Sequence, residues 1–291
     1  MSFQTFLDQA WMDHGHQTQN VVGRFNEGLR LVEKSGDVVA LAHLITHVMG
    51  EHLGDWAEGR SWLNRLSENP HAKTTETLQA LARFDAVLVL SGGGDVQVSK
   101  FTPSEWVRVL AMSASCVCER RETARAGGFL REAVRVAEMG LSASDPAFRN
   151  LAITGNNVAA SLEERSDRTS VENELMLLAA ETGRTYWEKA GTWLEVERAE
   201  YRLAQTCLKL GEASRALKHA KAGLIICLAN EAPALELFFT HEALFLAYRL
   251  AGDKEMAEYS RASLVQEFEN LADDDKAWCA KTRDSVVAMG L

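Results

Sequence analysis

Three segments of the chain superpose without a gap: Leu53-Gly54-Asp55-Trp56-Ala57-Glu58-Gly59, Leu210-Gly211-Glu212-Ala213-Ser214-Arg215-Ala216 and Ala251-Gly252-Asp253-Lys254-Glu255-Met256-Ala257. Each carries a glycine, an acid one residue later and a small residue five later. Glycine permits a left-handed backbone reversal, and the acid is favoured at the positive end of the helix that follows. The small residue lets two helices approach closely. A chain that repeats this turn is built of helix pairs, which restricts its fold more than any other feature of the sequence.

The remaining punctuation agrees. Apolar residues recur at spacings of three and four, the signature of amphipathic helices. Thr102-Pro103-Ser104-Glu105, Thr169-Ser170-Val171-Glu172 and Thr192-Trp193-Leu194-Glu195 each offer a threonine followed three residues later by glutamate, the reciprocal pairing of a capping box. Asp145-Pro146 marks another start. These signals predict helices over 2–13, 18–34, 38–53, 55–67, 74–91, 102–120, 122–140, 145–164, 169–187, 192–210, 212–229, 232–251, 253–271 and 274–288. Ala86-Val-Leu-Val-Leu-Ser-Gly-Gly-Gly-Asp95 resembles a strand entering a phosphate loop, but it fits neither GxxxxGK[ST] nor GxGxxG. With Leu78, Leu81, Phe84 and Leu88 at helical spacing, it reads as a helix ended by glycines and followed by a surface loop.

Upstream of the turns, Leu203-Ala204 precedes Gly211 by eight and seven residues, and Leu244-Phe245 precedes Gly252 by the same distances. Leu203, Gly211, Ala216 and Gly223 form one copy of a pattern that resembles the tetratricopeptide repeat, and Leu244, Tyr248, Gly252 and Ala257 form the next. Gly211 and Gly252 are 41 residues apart, more than the usual 34, which suggests lengthened helices. The resemblance is carried by 192–271 and by 38–67, and Arg261 departs from it where a large packing residue is expected. It implies an all-α, right-handed α-solenoid over 1–291 as a single domain. Helices at 1–37 lead into repeats over 38–271, irregular at 74–101 where a second helix is lacking, and the helix in 274–291 caps the stack.

The same resemblance implies a concave, partner-binding face on the first helix of each pair. Transferring the lining positions gives Arg108, Ser115 and Glu119; Arg149 and Asn156; Arg198, Tyr201, Gln205 and Lys209; and Glu242, Arg249 and Leu250, with Glu51 and His52 at the groove edge. Arginine falls at the second position in three successive copies. Guanidinium groups make strong, directional contacts with carboxylates, so the expected partner is an acidic or carboxylate-bearing peptide or protein segment. The alternative is that these arginines are ordinary solvated helix surface.

A formal charge of −10 argues against nucleic acid or anionic lipid as the partner. No segment approaches twenty apolar residues, and the N-terminus has neither the cationic start nor the apolar run of a signal peptide. A cytoplasmic location is therefore expected. Five cysteines without CxxC spacing read as reduced packing residues, and the tryptophans, Trp278 included, as core fillers.

One cluster invites chemistry: His43, His47 and Glu51 lie four apart, hence on one helical face, and form a credible zinc or iron ligand set. HExxH is absent, and Glu51 lies a further turn away, too far to close the same shell. The repeat register instead places His47 in a packing seam. His14-Gly15-His16 could join such a site but reads as a solvated turn. The expectation is a non-catalytic binding scaffold without a cofactor. A metalloprotein using His43, His47 and Glu51, and an architectural homo-oligomer with a self-occupied groove, are the alternatives.

Overall fold

The computed structural model describes residues 1–290, and among them every regular element is a helix. In chain order these are α1 (Phe3–Asp13), α2 (Thr18–Gly23), α3 (Phe25–Leu31), α4 (Ser35–Thr46), α5 (Trp56–Ser67), α6 (Thr75–Ser91), α7 (Pro103–Glu119), α8 (Thr123–Glu138), α9 (Pro146–Glu164), α10 (Ser170–Ala190), α11 (Trp193–Lys209), α12 (Ala213–Ala229), α13 (Ala234–Ala251), α14 (Lys254–Glu269) and α15 (Asp273–Ala288). A π-helical turn, His47–Leu53, continues α4. None of the described helices is long and apolar enough to cross a membrane.

The expected punctuation is realised. All three threonine–glutamate pairs form capping boxes, at Thr102 and Glu105, Thr169 and Glu172, and Thr192 and Glu195. The three repeated turns share a left-handed glycine: Gly54, Gly211 and Gly252 have φ of 66°, 74° and 78°, a region L side chains enter only with strain. Asp55 and Asp253 then cap the following helices by accepting from the amides of Glu58 and Met256, both at 3.1 Å. Glu212 makes no such cap and pairs with Arg215 at 2.7 Å instead. The small residues meet neighbours closely, since a Cβ on Gly59 would lie 2.9 Å from Leu88 and Met49, and Ala216 and Ala257 are wholly buried.

Two helices differ from expectation. The predicted helix 18–34 breaks at Arg24, after Gly23, where the amide turns back to Val21 and Val22. Glycine weakens the helix there, and Asp13 and Glu27 hold the Arg24 side chain at 3.5 and 3.6 Å. The predicted helix 38–53 starts earlier, at Ser35, and widens into the π turn over its last seven residues.

The helices sort into two compact units, Met1–Leu151 and Ala152–Leu291. In the first, Phe6, Phe25, Leu41, Leu44, Ile45 and Leu66 are fully buried in one core. There α6 packs on α4, α5 and α7, and α7 on α8. In the second, each helix from α10 to α15 packs on its successor, and α11 also touches α13, the next helix but one. Phe238, Phe245 and Leu264 fill its core. Burying such a side chain contributes about 1.5–3 kcal/mol, and none of these helices could bury its apolar face alone. The architecture is a helical, repeat-like array of successively packed helices.

Candidate functional site

The second unit contains a groove of about 630 Å³ between the inner faces of α9, α11 and α13 and one side chain of α15. Five residues transferred from the repeat pattern line it together: Asn156, Arg198, Tyr201, Gln205 and Lys209. They come from two helices brought side by side through α10. The helix crossing that permits this is a glycine contact, because a Cβ on Gly155 would lie 2.5 Å from the carbonyl of Ala179 and from the amide of Gly183. Only glycine fits there, and it sets the position of Asn156 beside it.

The other transferred positions fall elsewhere. Arg108 is half-buried on α7 near Arg83, Glu105 and Asp145, and Arg149 is exposed on α9, both in the first unit. Ser115 is buried within α7, and Glu119 is exposed at its end. Arg249 and Leu250 line a second, shallower hollow with Gln205 and Lys209, and the Arg249 Nε donates to the carbonyl of Gly290 at 2.8 Å. Glu242 accepts from the Tyr201 hydroxyl at 2.8 Å.

The groove is electrically mixed. Arg198 pairs with Glu236 at 2.7 Å, while Arg202 and Thr206 both donate to Glu163. Burial raises the Glu163 carboxyl above the ordinary carboxylate range, against the pull of Arg202. Glu197 is 2% exposed and accepts from Thr240 at 2.9 Å, yet burial pushes its pKa up to about 7. Each of these two cations thus faces an acid of its own groove, but Arg198 stays exposed despite its pairing, and Lys209 is exposed beside Gln205.

Side chains that the sequence reading left aside complete the groove. Leu235 and Phe239 project from α13, and Trp278 from α15. The expectation that Trp278 fills a core is corrected: it is 65% exposed, and its ring stands 5.2 Å from that of Phe239. Helical spacing marks which residues share a face, but α15 has only α14 and α13 to cover it, so one apolar position is left over at the groove.

In the first unit the histidines are arranged differently from the expected set. His47 Nδ1 and Glu51 are 3.2 Å apart, whereas His43 stacks on Phe84 and packs against Trp11. The three that converge are His14, His47 and His52, with one ring nitrogen of each within 4.8 Å of the others. His47 Nε2 and His52 Nε2 are 3.1 Å apart. The π turn brings this about: residues five apart diverge by about 140° on an α-helix, but i to i+5 bonding returns them to one side. Arg120 holds the turn by donating from one Nη to the carbonyls of both Glu51 and His52 at 2.9 Å. His14 is fixed by its backbone, its amide bonded to Ala10 and its carbonyl to the Thr18 hydroxyl. Burial and the neighbouring His47 and His14 lower the pKa of His52, so its neutral ring is favoured. Compared with known protein families, with curated proteins and with solved structures, the chain finds no match, and the two sites stand on their geometry.

Proposed function

We propose that this chain is a non-catalytic scaffold of tetratricopeptide type, in which the groove of the second unit holds a short segment of a partner protein. The supporting observation is that five residues chosen by repeat register alone line one groove together with an aromatic shelf of Phe239 and Trp278. In this reading the array is a right-handed solenoid closed by α15. Five buried cysteines carried as thiols suit a reducing cytoplasm. An apolar side chain of the partner rests on the shelf, and a carboxylate reaches Lys209 and Arg198. The acidic preference drawn from the arginine column is thereby narrowed to Arg198, the one arginine of that column that lines this groove, with Lys209 beside it.

Selection of a displayed random-peptide library on the untagged full chain tests this. Peptides joining an aromatic or aliphatic residue to Asp, Glu or a C-terminal carboxylate are expected to be enriched. Arg198→Glu with Lys209→Glu should weaken them at least about tenfold, since a hydrogen bond to a charged group contributes about 1.5–3 kcal/mol. Trp278→Ala should weaken them similarly, with helical circular dichroism unchanged. Equal binding by the charge-reversed and parent proteins would remove the groove assignment.

A further inference from the structure

We infer that His14, His47 and His52 form a three-imidazole site for a divalent transition-metal ion of the zinc class, a site separate from the groove. The ligand chemistry fits: imidazole suits zinc, copper and nickel, and three histidines with one remaining position for water is the ligand count of an open zinc site. The spacing fits as well. With zinc–nitrogen bonds of about 2.0–2.1 Å, tetrahedral ligands lie about 3.3 Å apart. His47 Nε2 and His52 Nε2 are already at 3.1 Å, and the third nitrogen falls within 4.8 Å, so a small turn of the His14 ring closes the set.

The surrounding contacts are those of metal-bound histidines. Such a ring usually donates its other N–H to a carboxylate or a backbone carbonyl, which fixes its tautomer. His14 Nδ1–H donates to the Trp11 carbonyl at 2.5 Å, and His47 Nδ1 faces Glu51 at 3.2 Å. Each arrangement leaves Nε2 as the nitrogen available to an ion. Without an ion, the 3.1 Å approach is an N–H···N hydrogen bond, which keeps the same two nitrogens aimed at one another. All three rings are half-buried, and Trp11 packs against His14 and His47, each at 5.2 Å. The π turn, the helix end and the tryptophan therefore preorganise the ligands.

The test uses the full chain made without a histidine tag and stripped with chelator, titrated calorimetrically with zinc chloride. One zinc ion per chain is expected. Glu51→Gln should weaken it by roughly 10–100-fold, as loss of an outer carboxylate does, and His14→Gln or His52→Gln by more than that. His16→Gln, outside the set, should leave it unchanged. Absence of stoichiometric uptake, or uptake unaltered in both His14→Gln and His52→Gln, overturns the site and makes any bound ion adventitious. Should a histidine variant lose its helical circular dichroism, the cobalt(II) spectrum of the parent protein decides. Intense tetrahedral d–d bands support the site, and the pale spectrum of the octahedral aquo ion overturns it.

Discussion

Gly155 shows how one residue ties packing to a binding surface. Its missing side chain lets α9 and α10 meet backbone to backbone at Ala179 and Gly183, and Asn156 enters the groove as the next residue. Gly155→Ala has nowhere to put a methyl group except by parting the helices. Overpacking of this kind costs about 1–3 kcal/mol, so we expect a lower thermal midpoint together with weaker peptide capture. Thermal denaturation and the peptide titration run on one preparation check both. Asn156 was readable in the sequence as a lining position on the first helix of a pair. What was not readable is the partnering of charges, because Arg198 with Glu236 and Arg202 with Glu163 are 38 and 39 residues apart. Residue type alone cannot tell a solvated arginine from one already held by its own fold.

At the scale of the element, the sequence was most informative where structure is local. Capping boxes, the glycine reversals and the glycine end of α6 depend on residues within a few positions of one another, and all can be read directly. The π turn cannot. Leu41, Leu44 and Ile45 keep α-helical spacing up to its start, Val48 continues that spacing inside it, and nothing in His47–Leu53 announces the wider ladder. Its stabilising partner, Arg120, caps the C-terminal end of α7, and a Cβ on Gly50 would lie 2.8 Å from the sulfur of Cys116 within that helix. The set His43, His47 and Glu51 follows from the α period, and His14, His47 and His52 from the geometry the chain adopts. Arg120→Ala removes two charge-assisted bonds to the last carbonyls of the turn. We expect faster amide exchange over 47–55 with the other helices unaffected, measured by hydrogen–deuterium exchange mass spectrometry. Uniform exchange rates across the chain would contradict that assignment.

At the scale of the whole molecule, the chain carries a net charge of −10 and yet buries carboxylates, and this governs how it responds to pH. Burial raises the pKa of Glu163 and Glu242, and that of Glu197 to about 7 from an ordinary 4.5. A carboxyl raised in the fold takes up protons more readily there than in the unfolded chain. Its stabilising contribution is full below the ordinary value and is lost as pH rises through the folded one. For Glu197 the loss amounts to about 3 kcal/mol between pH 4.5 and 7, at about 1.4 kcal/mol per unit. The histidines act oppositely: His52 and His241 are lowered from 6.5, mainly by burial, so acidification below that value favours the unfolded chain. The thermal midpoint should therefore rise from pH 8 to pH 6 and fall again on further acidification. Glu197→Gln should stabilise the protein by several degrees at pH 8 and by little at pH 5. Scanning calorimetry across the series checks both signs.

The widened turn before Gly54 also bears on how such a chain changes over time. A π turn is what an α-helix becomes when it takes in one surplus residue while both of its ends stay anchored. Here the anchors are the buried Leu41, Leu44 and Ile45 before it and the left-handed Gly54 after it. Loss of one codon between His47 and His52 would return the segment to α-helix and leave the glycine reversal in place, and the two histidines, then four residues apart, would still share one face. A lineage can thus gain or lose the surplus residue by a single insertion or deletion without rebuilding the scaffold, and His47 and His52 stay together on either ladder.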